Sequence, residues 1–131
     1  MFKTLVFTLA ILVSFFSNAA PFTVIYYGKS PNMKMIENLL PESFILKYPK
    51  ESWSIFIESH TGKAFDNTWV CSATVGLIPA ILSKEYPSRT YKTIGAREYK
   101  NNFYAQEETQ IFHNECIEKS IKNMTQQLLS N

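Results

Sequence analysis

Hydrophobic and polar positions along this chain change rhythm several times, and each rhythm predicts a different element. Leu5 to Phe16 is an almost unbroken apolar run behind one basic residue, Lys3, and small residues follow at Ser17 and Ala19. That order of charge, short apolar run and small residues is the pattern of a secretory signal, too short for a membrane-spanning helix of roughly 20 residues. Residues 1–19 are therefore expected to be a signal peptide. Residues 20–131 are expected to form a single exported globular domain with no membrane span after signal cleavage.

Past the signal, Phe22–Tyr27 is aromatic and β-branched and stops at Gly28, the pattern of a short strand. Met33 to Leu40 has helical spacing and ends before Pro41. Phe44 to Tyr48 reads as a strand, on too few residues to separate it from a buried helical turn. After Pro49, Trp53 with Phe56 and Ile57 stands at spacings of three and four, which predicts a helix ending near Gly62. Asp66 or Asn67 caps the next one, whose stripe of Trp69, Val70, Ala73, Leu77, Ala80 and Ile81 runs to about Lys84. Gly76 and Pro79 interrupt that helix, and the β-branched Val70, Thr74, Val75 and Ile78 weaken it. Residues 85–105 are polar, tyrosine-rich and irregular. Phe112, Cys116, Ile117, Ile121, Met124 and Leu128 then predict a terminal helix over 106–129, with Glu107 and Glu108 at its favourable amino-terminal end. The expected fold is mainly α: a small single-domain bundle of three or four helices with a short N-terminal strand.

Composition changes this picture at two points. The net charge of +2 is too balanced to imply nucleic acid or a generally anionic partner. The two cysteines, Cys71 and Cys116, are most simply a disulfide in an oxidising compartment. On the helical reading that bond staples the 66–84 helix to the terminal one.

Candidate chemistry is sparse. The chain has no G-x-S-x-G, S-x-x-K, H-E-x-x-H or phosphate-binding glycine loop. His60 and His113 read as a loop-edge and a helix-surface histidine, without the further ligands a metal needs. Glu107 with Glu108, and Glu115 with Glu118, read as a solvated helix face. No catalytic residue, metal or cofactor is expected.

The stretch from Lys84 to Tyr104 interleaves basic and aromatic residues. Tyrosine and arginine dominate interface hot spots, so Arg89, Tyr91, Lys92, Arg97, Tyr99 and Tyr104 are the candidate partner-binding residues. In profile, with its signal peptide, small size, helices and disulfide, the chain resembles small periplasmic antagonists such as immunity proteins of secreted cell-wall-degrading toxins. The resemblance implies a non-enzymatic, periplasmic protein-binding module that occludes a protein partner in the envelope or a secreted toxin. An accessory subunit of an envelope secretion or conjugation machine, or a small hydrolase, would share the same sequence features.

Overall fold

The computed structural model of the chain describes residues 21–82, 85–99 and 105–130, so the expected signal segment lies outside the described residues. Strand β1 (Val24–Gly28) is followed by two short helices, α1 (Met33–Leu39) and α2 (Glu42–Lys47). A long hairpin comes next, β2 (Trp53–Phe65) and β3 (Thr68–Pro79), then a single 3-10 turn (Ala80–Leu82) and β4 (Thr90–Glu98). The chain closes on α3 (Ala105–Ser130). The strands form one mixed sheet in the order β1-β2-β3-β4, with β1 parallel to β2 and the other pairs antiparallel.

This architecture corrects the expectation of a mainly α bundle: helix and strand take equal shares of the fold. The helices expected over 49–62 and 66–84 are β2 and β3. Their apolar residues mimic helical spacing because both faces of the hairpin are partly covered. Ile55 and Ile57 of β2 and Cys71, Ala73 and Val75 of β3 point to the helical layer, while Phe56 and Ile78 are buried on the opposite face. Two period-2 faces merged in one string read as steps of one, three and four. The β-branched residues that weakened the helix are the ones the pleat accommodates. Asp66, expected as a helix cap, instead turns the hairpin with φ 42°, a conformation Asp tolerates better than most residues. Pro79 closes β3 where the ladder ends. Phe44–Tyr48, read as a strand, is mostly the short helix α2.

Three expectations match. Met33–Leu39 is helical, capped by the Asn32 side chain accepting from the Met35 N–H at 3.1 Å. Val24–Gly28 is a strand, and Ala105–Ser130 is the long terminal helix. That helix crosses β2, β3 and β4 on one face of the sheet, with α1 and α2 packed beside it. Its buried stripe is Phe112, His113, Cys116, Ile117, Ser120, Ile121 and Met124. Ser120 donates to the Ala73 carbonyl at 3.0 Å, and Cys116 is disulfide-bonded to Cys71 with Cα atoms 6.3 Å apart. The bond therefore joins a helix to the sheet, not one helix to another. No helix among the described residues is long and apolar enough to cross a membrane.

Among the described residues, the opposite face is covered at one end, where the β3–β4 connection folds back over it. Tyr86 packs edge-on against Phe56, ring centroids 5.0 Å apart, and Phe56 meets Tyr27 at 5.7 Å. Pro87 and Arg89 follow over Gly76, where an added Cβ would stand 2.6 Å from Pro87 Cβ and 2.7 Å from the Arg89 carbonyl oxygen. Gly76→Ala must push this connection away from the sheet. The expected cost is about 1–3 kcal/mol, measurable as a lower urea midpoint; an unchanged midpoint would mean that residues 87–89 do not rest on β3.

Candidate functional site

The register that pairs Ile55 with Leu77 and Val75 with Tyr91 brings one end of three strands together on the helical face. Trp53 starts β2, Leu77 lies near the end of β3, and Tyr91 is near the start of β4. Tyr48 closes α2 with its N–H on the Phe44 carbonyl, and its ring meets Phe44 at 5.1 Å and Trp53 edge-on at 5.8 Å. Leu128 arrives from the last turn of α3, where Lys47 Nζ donates to its carbonyl at 2.8 Å. That bond places a cation at the negative end of the helix dipole and ties α2 to α3.

Between these side chains lies a cavity of about 190 Å³, lined by Tyr48, Trp53, Leu77, Tyr91 and Leu128, with exposed Ser88 and Arg89 at its mouth. The Tyr91 hydroxyl is buried with no hydrogen-bond partner among the described residues. Arg89 has no carboxylate partner among them either. A larger depression of about 380 Å³ between α1 and α3 is bordered by Asn32, Lys34, Asn38 and Glu118, side chains that water solvates well, and it lacks any aromatic wall.

The structure thus brings Arg89 and Tyr91 of the expected partner-binding set together and separates the others. In β4 the side chains alternate, so Lys92 faces the opposite side of the sheet from Tyr91. Arg97 and Tyr99 lie at the far end of β4. Arg97 pairs with Glu115 at 2.6 Å, which raises its already high pKa, and sits over the Phe112 ring at 4.9 Å. Tyr99 is buried and donates to the Glu108 carbonyl at 3.1 Å. Tyr104 lies outside the described residues. Trp53, Tyr48, Leu77 and Leu128 were missed as site residues. Their convergence depends on β2 and β3 being strands, and the β-branched content of 70–78 was the signal that could have revealed it.

The histidines also need correction. His113, expected on the helix surface, is fully buried between β2 and α3. Its Nε2 is 3.1 Å from Ser59 Oγ, and its Nδ1 makes a short hydrogen bond with Thr61 Oγ1. Burial lowers its pKa first, and the nearby positive charges of Lys29 and His60 lower it further. A serine beside an imidazole suggests a nucleophile and its base. Here Ser59 is 1% exposed, which closes it to substrate, so the trio is a polar tie within the core. His60 is exposed, 3.7 Å from Glu58. Among the described residues no group of three or more His, Cys, Asp or Glu side chains is placed to hold a metal ion. Compared with protein-family models, with curated proteins and with solved structures, the chain matches none of them.

Proposed function

We propose that this chain is an exported, non-enzymatic protein-binding module, an antagonist that docks on an envelope or secreted protein through the end of the sheet around Arg89. The observation that carries the reading is the size and lining of the Trp53–Tyr91 cavity. Pockets for drug-sized ligands run from roughly 300 Å³ upward. A cavity of about 190 Å³ is close to an engineered apolar one of about 150 Å³ that holds benzene, which suits one side chain and not a whole metabolite. Aromatic walls around a single-residue socket are the form of an interface hot spot, and the exposed arginine at the mouth adds a residue type enriched there. The disulfide agrees with an oxidising destination such as the periplasm.

The test is capture from envelope extract and culture fluid with the oxidised chain immobilised. A partner retained in stoichiometric amount is expected to lose about tenfold or more in affinity with Arg89→Ala, at unchanged melting temperature. Tyr91 must be probed as Tyr91→Phe, because its ring is only 8% exposed and Tyr91→Ala would remove core packing. Equal retention by wild type, Arg89→Ala and Tyr91→Phe would remove this surface from the function. A captured cluster of membrane-complex subunits would favour an accessory role in an envelope machine over antagonism.

A further inference from the structure

We propose that the open edge of β4 pairs with β4 of a second copy of this chain, antiparallel about a two-fold axis at Gly95, so that two four-stranded sheets become one. The Ala80 N–H donates to the Ser52 carbonyl at 2.9 Å, in register with the β2–β3 ladder. In an antiparallel ladder such bonded pairs alternate, so even-numbered residues of β3 bond to β2 and odd-numbered ones to β4. The Tyr99 N–H, which donates to the Asn67 carbonyl at 2.9 Å, gives the same alternation from the β3–β4 ladder. Thr90, Lys92, Ile94, Ala96 and Glu98 therefore turn their N–H and C=O groups away from β3. Among the described residues no strand pairs with that side.

Sheets commonly blunt such an edge with proline, a bulge or a very short strand. β4 has nine residues, no proline, and a register with β3 that runs without a shift. On the face away from α3 it presents Ile94, 67% exposed, between Lys92 and Glu98. Both charged side chains are exposed and have no ion-pair partner among the described residues. Six positions apart on one strand, they stand about 20 Å from each other and cannot meet within the chain. Centring an antiparallel pair on Gly95 sets outward-bonding residues against outward-bonding residues. Lys92 then lies opposite Glu98 of the second copy and Ile94 opposite its Ala96, each pair formed twice by symmetry. At the axis the two Gly95 residues make the close, non-hydrogen-bonded pair, with Cα atoms about 4.5 Å apart, and neither brings a side chain. Centring on Ile94 or Thr93 instead sets Lys92 opposite Ala96 or Ile94 and leaves both charges without an opposite partner. Any extended strand could take up the edge bonds, but the side chains of β4 complement their own reversed order, which selects a second copy.

The test is sedimentation velocity of the oxidised chain, with a carbodiimide crosslink to fix the register. At about 0.5 mM the chain is expected to be mainly dimeric, and to dissociate on dilution to about 5 µM. Lys92→Glu and Glu98→Lys each place like charges opposite one another in both pairs, and each should weaken the dimer by about tenfold or more. The double variant Lys92→Glu/Glu98→Lys should restore it. All three should keep the parent melting temperature, because both side chains are exposed. In an equal mixture of isotope-labelled and unlabelled parent chain, carbodiimide should join Lys92 to Glu98 in mixed-isotope peptides. A chain that stays monomeric at about 1 mM overturns the inference. So does a dimer that both single variants leave intact, that the double variant does not restore, or that yields no mixed-isotope Lys92–Glu98 peptide. The docking reading is judged separately, by whether Arg89→Ala loses the captured partner.

Discussion

Breaking the Cys71–Cys116 bond is expected to remove about 4 kcal/mol of stability, from the chain entropy released when a loop of 45 residues opens. Domains of this size are typically stable by only about 5–15 kcal/mol, so the loss would take a large part of the whole. The position of the bond adds to the case. Both sulfurs are buried, and Gly95 of β4 lies directly across from Cys71, with no side chain of its own between the strand and the bond. A Cβ there would stand 3.3 Å from both the Cys71 sulfur and the Phe112 ring. The disulfide, Phe112 and β4 thus fill one another's space at the middle of the α3–sheet contact. Reduction or Cys71→Ala/Cys116→Ala frees the helix where it is held most closely. Urea unfolding of the oxidised chain, the reduced chain and that double variant checks this. With a slope of about 1–2 kcal/mol per molar urea, both altered forms should unfold at a midpoint lower by about 2 M or more. Superimposable transitions would show that the bond contributes nothing to holding α3 on the sheet. Because Leu128 of α3 forms one wall of the proposed docking cavity, reduction should also weaken partner capture.

How much of this could be read from the chain depended on whether an element buries one face or two. The terminal helix was legible because Phe112, Cys116, Ile117, Ile121 and Met124 bury a single stripe against the sheet. The disulfide was legible from the two cysteines alone. The hairpin was not. Phe56, under Tyr27 and Tyr86, and Ile78 are buried on the face away from the helices, and they fill the polar positions that would have shown a period of two. Once β2 and β3 are taken as helices, the next segment has no sheet to join, which is why β4 read as an irregular connection. The candidate site suffered from the same error. Arg89 and Tyr91 belong together, but composition could not tell Tyr91 from Lys92, which the pleat sends to opposite faces. Tyr99 looked like an exposed hot spot and is instead bonded to the first turns of α3. His113 misled for a related reason: a polar residue on a helix next to a solvated stretch is ordinarily outside, and only the register of β2 places Ser59 and Thr61 opposite both ring nitrogens.

That buried trio carries the second large effect. His113→Ala is expected to cost about 3–5 kcal/mol at pH 7, since it empties the volume of a fully buried ring and strands the Ser59 and Thr61 hydroxyls. The imidazole also makes stability depend on pH in a defined direction. Neutral His113 donates from one ring nitrogen and accepts at the other, a role both hydroxyls can complement. Protonation places a charge in the core with no carboxylate among the groups that act on it, only burial and the positive charges of Lys29 and His60. Its pKa in the folded chain is therefore below the roughly 6.5 of the unfolded chain. Below that pH the unfolded chain binds the proton and the folded chain does not, so unfolding takes up protons and stability falls as the pH drops. The loss begins near pH 6.5, proceeds at up to about 1.4 kcal/mol per pH unit, and levels off only once the folded-state pKa is passed. His113→Gln keeps a side chain that can donate and accept but cannot titrate. It should be less stable than wild type at pH 7 and should lose less stability between pH 7 and pH 5. Parallel stability curves over that interval would show that His113 takes up its proton as readily folded as unfolded, which its burial against Ser59 does not permit.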